Sequence, residues 1–148
     1  MKKRISALFL LLLITLLLVG CMSKGSAATV EGMYKAALNR EADHLSKIFS
    51  QVDGYDDYYL SEIMNNLTSD VMDANGIENM NIKEIERKHL NLEAIEDFDD
   101  EFGSNWELVA VQMDVNYFYV WVLKEVSGNY FIVYAEDFDK EEFEELLK

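Results

Sequence analysis

Residues 106–135 read WELVAVQMDVNYFYVWVLKEVSGNYFIVYA. Three runs of β-branched and aromatic residues are separated by two short breaks, Val115-Asn116 and Ser127-Gly128. Strand-like runs joined by two-residue connections predict antiparallel hairpins. Centring one turn on Ser127-Gly128 pairs Val122 with Val133. Centring the other on Val115-Asn116 pairs Val111 with Val120. One sheet face then carries Val109, Val111, Met113, Phe118, Val120, Val122, Phe131 and Val133. The other carries Leu108, Ala110, Gln112, Tyr117, Tyr119, Trp121, Leu123, Tyr130, Ile132 and Tyr134. The aliphatic face suits packing against a helix. The second face, with Gln112, Tyr117, Tyr119, Trp121, Tyr130 and Tyr134, is the candidate binding surface, because Tyr and Trp favour surfaces that are half apolar and half wet. On this reading Trp121 can be truncated without unfolding the domain.

Upstream, apolar residues recur at helical spacing through Val30, Met33, Ala37, Leu38, Leu45, Ile48, Phe49 and Val52. They predict one long helix, capped by Thr29 and stopped by Asp53-Gly54. A second helix is expected over 57–74, with Leu60, Ile63, Met64, Leu67 and Val71 on one face and Asn75-Gly76 as its stop. Residues 81–98, NIKEIERKHLNLEAIEDF, fit two patterns. The reading adopted is a short helix capped by Asn81 and Glu84, then an edge strand from about Lys88 to Ile95. Downstream, DKEEFEELLK predicts a short acidic helix capped by Asp139. The whole is an α+β domain: N-terminal helices packed on a curved antiparallel sheet of three to four strands, with a short C-terminal helix.

The stretch ALNREADHLSKIFS, residues 37–50, resembles the opening of small NTF2-like domains, through Ala37, Leu38, Asp43, Leu45 and Phe49. The helix-then-meander order over 29–136 is also similar to that of cystatin-like lipoproteins. The resemblance implies helices wrapped on a curved sheet. Some NTF2-like proteins are isomerases or dehydratases with an Asp or His inside the cup, but the resemblance assigns no such role to Asp114 or His89.

The N-terminus carries a different signal. MKKR is followed by ISALFLLLLITLLLV and then by Gly20 and Cys21. As a helix this apolar run of roughly 15 residues rises about 22 Å, short of the ~30 Å hydrocarbon core of a bilayer. Basic start, short apolar middle and small-residue exit are the parts of a secretory signal. Leu18-Val19-Gly20-Cys21 resembles the lipobox of bacterial lipoproteins. In that family a diacylglyceryl group is joined to the cysteine sulfur, and cleavage between Gly20 and Cys21 leaves Cys21 as the new N-terminus. Two acyl chains hold a protein stably on a membrane where one holds it marginally. The expected organisation is therefore a signal peptide over 1–20, a lipidated Cys21 with a flexible tether over 21–28, and a single domain over 29–148. Cys21 is the only cysteine, so no disulfide is available to the fold.

Loss of Lys2, Lys3 and Arg4 with the signal takes the formal net charge three units below its value of −15. Such a domain is repelled by nucleic acid and by anionic lipid, and is expected to stand off from the bilayer on its tether. No cofactor motif is present. Two histidines, His44 and His89, are too few for a zinc site without a free mature thiol. In DFDDE, Asp97 and Asp99 hold the first and third places of a calcium loop, but Phe102 stands where glycine is needed and Leu108 where glutamate is. The resulting expectation is an extracytoplasmic membrane-anchored lipoprotein of a bacterial cell. It acts as a non-enzymatic binding or accessory module toward a protein or small apolar ligand. The alternatives are a small NTF2-like enzyme with a pocket acid or base, and an exclusion or accessory factor of a mobile element.

Cys21→Ser is predicted to move the protein from the membrane fraction to the soluble fraction. Tight membrane association of the variant in fractionated cells would instead show an uncleaved apolar anchor.

Overall fold

The computed structural model describes residues 25–52, 54 and 56–147. Gly20 and Cys21 lie outside them, as does the apolar run. The elements in chain order are α1 (Ser26–Leu38), α2 (Ala42–Ile48), α3 (Asp57–Asp73), β1 (Asn81–Ile85), α4 (Leu92–Phe102), β2 (Trp106–Gln112), β3 (Tyr117–Val126), β4 (Asn129–Asp139) and α5 (Lys140–Leu146). The strands form one antiparallel sheet in the order β1-β2-β3-β4. The α+β class and the short C-terminal helix agree with the sequence pattern.

Two helices stand where one was expected. Helix α1 begins at Ser26, so residues 26–28 form its first turn rather than a tether. Ser26 is fully buried, and its hydroxyl donates to the Glu84 carboxylate at 3.3 Å. Thr29 is not the cap; its hydroxyl donates back to the Gly25 carbonyl. The helix ends because Arg40 adopts φ +59°, which lets Glu41 N–H reach the Ala36 carbonyl at 2.9 Å. That is a left-handed helix stop built without glycine. The bend turns α2 back, so that Leu45, Ile48 and Phe49 point into the core.

Helix α3 follows the expected pattern. Asp56 caps it by accepting from Tyr59 N–H at 2.8 Å. Asn75 (φ +57°) and Gly76 (φ +121°) then end the helical run.

Residues 81–98 reverse the expected order. Asn81–Ile85 is the edge strand and Leu92–Phe102 the helix, with a 3₁₀ turn at Arg87–His89 between them. The helix cap is Asn91, whose side-chain oxygen accepts from Ala94 N–H at 2.7 Å. Its side-chain amide donates to the Glu145 carbonyl, and its own N–H to the Leu146 carbonyl, at 2.6 and 3.0 Å. One asparagine thus starts α4 and ends α5. The DFDDE stretch lies inside α4 and is not a loop.

The β3–β4 turn is as expected: Ser127 and Gly128 both have positive φ, the signature of a two-residue hairpin. The β2–β3 turn is longer by one residue. Asp114 accepts from Asn116 N–H at 2.6 Å, and Met113 N–H donates to the Tyr117 carbonyl. Val111 therefore pairs with Tyr119, not Val120, and Val109 pairs with Trp121. A slip of one residue exchanges the faces of a strand. Val109 and Val111 join Tyr119, Trp121 and Leu123 on one face, while Leu108, Ala110 and Gln112 join Val120 and Val122 on the other. An irregularity between Val122 and Leu123 shifts β4 in the same way, so Val122 faces Tyr134.

Both faces are covered. Helices α1, α2 and α3 pack on the face with Val109, Val111, Trp121, Leu123 and Ile132. Helices α4 and α5 pack on the face with Trp106, Leu108, Val120 and Val122. Phe118 stacks on Phe143 of α5 at 4.3 Å between ring centroids. Arg87 lies over the Trp106 ring at 4.3 Å and donates to Asp99, which also accepts the Trp106 indole N–H at 2.8 Å.

Trp121 is 7 % exposed and meets Tyr34 and Phe49 edge-on, each at 6.3 Å between ring centroids. It is core, contrary to its expected place on a free surface. Trp121→Ala is predicted to lower unfolding stability by about 3–5 kcal/mol, measured by urea titration; a loss below about 1 kcal/mol would mean the indole is not packed under the helices.

Candidate functional site

The six residues expected on one binding face divide among three places. Tyr117, Tyr119 and Trp121 lie on the sheet face covered by α1–α3, and form a ladder. Tyr117 meets Tyr119 at 5.6 Å and Tyr119 meets Trp121 at 6.2 Å. The inner rung is buried, whereas Tyr117 and Tyr119 are half-exposed. Tyr130 shares that face but stands at its other end, beside the β3–β4 turn, where its hydroxyl donates to Glu107 at 2.9 Å. Gln112 and Tyr134 lie on the opposite face. Gln112 accepts from the Asn81 side chain, and the Tyr134 ring lies 5.7 Å from that of Phe102 in α4.

The ladder is rooted in an electrostatically unusual spot that sequence periodicity does not reveal. The Tyr34 hydroxyl and the Trp121 indole nitrogen are buried near each other, and neither completes a hydrogen bond of normal geometry among the described residues. Burial first, and then the Asp70 carboxylate, push the Tyr34 hydroxyl far above its ordinary pKa, while the nearby Trp121 N–H opposes them. Asp70, half-buried on α3, is pushed up to about 6, mainly by desolvation and then by Asp73. At the open end the Tyr117 hydroxyl donates to Asp137 at 2.7 Å, and that bond is the main cause raising its pKa. Tyr130 is pushed up to about 12, chiefly by its bond to Glu107. A phenol that donates to a carboxylate is held neutral and fixed in direction.

A separate open groove of about 1180 Å³ lies between α1, α2 and the β3–β4 turn. Thr29, Arg40, His44, Lys47, Asn129 and Tyr130 are among its walls. His44 Nδ1 stands 3.8 Å from Glu41, and His89 is exposed in the 3₁₀ turn before α4. Among the described residues no three His, Cys, Asp or Glu side chains converge as a metal site would require, and no helix is long and apolar enough to cross a membrane.

No protein-family model, curated protein or solved structure matches this chain.

Asp70 makes the stability of the fold depend on pH with a definite sign. Its folded pKa of about 6 lies above the ordinary 3.8. The folded state therefore holds this proton more tightly, and stability falls as pH rises through that window. Asp70→Asn is predicted to raise the urea midpoint at pH 8 and to change it little at pH 3.5. An equal shift at both values would contradict the assigned burial.

Proposed function

We propose that this chain is an extracytoplasmic lipoprotein, held on a bacterial membrane by a diacylglyceryl group on Cys21, whose domain is a non-enzymatic binding module. Its contact surface is the open end of the aromatic ladder, Tyr117 and Tyr119. The observation that carries this reading is the set of contacts that brace those rings. Tyr119 is braced on Trp121, Trp121 on Tyr34 and Phe49, and the Tyr117 hydroxyl is tied to Asp137. Half-exposed tyrosines already fixed in place lose little entropy when a partner covers them. The acidic surround, with Asp114, Glu136, Asp137 and Asp139 at that end of the sheet, favours a protein partner bearing basic residues around an apolar centre.

Asp70 supports a second reading. A carboxylate with a pKa near neutrality beside a phenol is suited to moving protons. On that reading the chain is a small NTF2-like enzyme with Asp70 as its base.

The two readings separate in one experiment. The Tyr117→Ala/Tyr119→Ala double variant is compared with Asp70→Asn in crosslinking on intact cells carrying the full-length chain. The binding reading predicts that the double variant loses the crosslinked partner at normal abundance, while Asp70→Asn keeps it. An unchanged crosslink in the double variant would remove the ladder as the contact surface.

A further inference from the structure

Strand β4 is an edge of the sheet, and one stretch of it is left open. Its first residues wall the groove beside α2, whereas Tyr134, Ala135, Glu136 and Asp137 are exposed in succession. Side chains of a strand point alternately to the two faces of a sheet. Exposure that does not alternate means that the helix layers on both faces leave this part of the rim largely uncovered.

The register fixes which main-chain groups point off that rim. Met113 N–H donates to the Tyr117 carbonyl, so the main chain of Tyr117 faces β2. Alternate residues of an antiparallel strand bond to opposite neighbours. Tyr119 and Trp121 therefore face β2 as well, while Phe118, Val120 and Val122 face β4. Their cross-strand partners Phe138, Glu136 and Tyr134 are bonded inward. Ala135, Asp137 and Asp139 turn their N–H and C=O groups to the free side. The Asp139 N–H is taken there by the Glu142 carboxylate at 3.1 Å. The main-chain groups of Ala135 and Asp137 meet no such partner among the described residues.

We propose that a basic segment of a partner protein adds as a fifth, antiparallel strand on the outer edge of β4, over Tyr134–Asp139. The proposal deepens the reading that this end of the sheet is the contact surface, and rests on it. A free strand edge is a template for strand addition: main-chain bonds give affinity and alternate side chains give selectivity. The side chains here select a cationic occupant. On the ladder face lie Asp139 and Asp137, the latter accepting from Tyr117. Burial, then Glu136 and Glu101 of α4, raise the pKa of the Tyr134 hydroxyl, which places both carboxylates beside the other face of the stretch. Among the described residues neither Glu136 nor Asp137 is in an ion pair. Lysine or arginine opposite Glu136 and Asp137, with an apolar residue opposite Ala135, would complete the edge. A second copy of this chain fits poorly. Centring such a pair on Glu136 or Asp137 sets a carboxylate directly against its own copy, which is destabilising. Centring it on Ala135 brings Asp137 against Val133, the residue skipped in the β3–β4 register.

The probe is the end-blocked hexapeptide Lys-Val-Lys-Lys-Val-Val, whose residues fall in antiparallel order against Asp139 back to Tyr134. It is titrated into the isotope-labelled full-length chain in nonionic detergent micelles, and amide hydrogen exchange is followed residue by residue. Exchange at Ala135 and Asp137 is expected to slow about tenfold at saturation, while Glu136, already bonded to β3, changes little. Glu136→Lys/Asp137→Lys, which leaves the main chain intact, should abolish the slowing. The same peptide with glutamate in place of lysine should not produce it. Ala135 and Asp137 amides that stay unprotected through the titration, whether or not the peptide binds elsewhere, overturn the strand addition alone. An unchanged cell crosslink in the Tyr117→Ala/Tyr119→Ala variant removes the contact surface, and the strand addition with it.

Discussion

An indole carried by the third strand can be buried only if a helix layer covers that side of the sheet. Trp121 meets that condition through Val109, its cross-strand partner, and through the edges of Tyr34 and Phe49. Much of the first layer follows from this contact. The bend at Arg40 serves it by bringing Phe49 back over the sheet from α2. Leu45 and Ile48 fill the space beside it, and Leu67 and Val71 of α3 close the layer from outside. The cost is two polar atoms, the Tyr34 hydroxyl and the Trp121 N–H, buried without a hydrogen bond of normal geometry in the described structure.

The second layer is held differently. Helices α4 and α5 are short, and polar ties define their ends. Asn91 joins the start of one to the end of the other, and Asp139 with Glu142 forms a reciprocal cap at the start of α5. Arg87, Asp99 and Trp106 lock the 3₁₀ turn and α4 to the first residue of β2, and the arginine bond holds the Asp99 carboxyl below its usual range. A chain without disulfides thus covers one face with a large apolar cluster, and the other with a smaller cluster fastened by hydrogen bonds.

The class of fold, the span of α3, the β3–β4 turn and the Asp139 cap were all legible from residue types, because each depends on a local signal. Four features were not. Arg40 in a left-handed conformation has no residue preference to announce it. In 81–98, strand and helix were both found but in the wrong order, since Ile82 and Ile85 satisfy either period and only pairing with β2 decides between them. The Asp114 side chain lengthens the first turn by one residue, which moved Gln112 off the expected face. The irregularity at Val122/Leu123 moved Tyr134. The candidate surface was therefore half legible: Tyr117 and Tyr119 remain together and partly open, whereas Trp121 proved to be their buried support. Asp70 gave no sign at all, because a carboxylate's desolvation depends on what a helix packs against and not on its neighbours in sequence.

These features join into one account. Register places the tryptophan under the helices, the buried tryptophan braces the tyrosines beyond it, and on the proposed reading those tyrosines at the acidic end are what the domain would offer a partner. The most direct test of its central claim is a nuclear Overhauser measurement on the folded domain. The account predicts contacts from the Trp121 indole protons to the Tyr34 ring and the Val109 methyls. Contacts from Val120 or Val122 to Tyr34, with the indole showing none, would place the strand in the other register and contradict it.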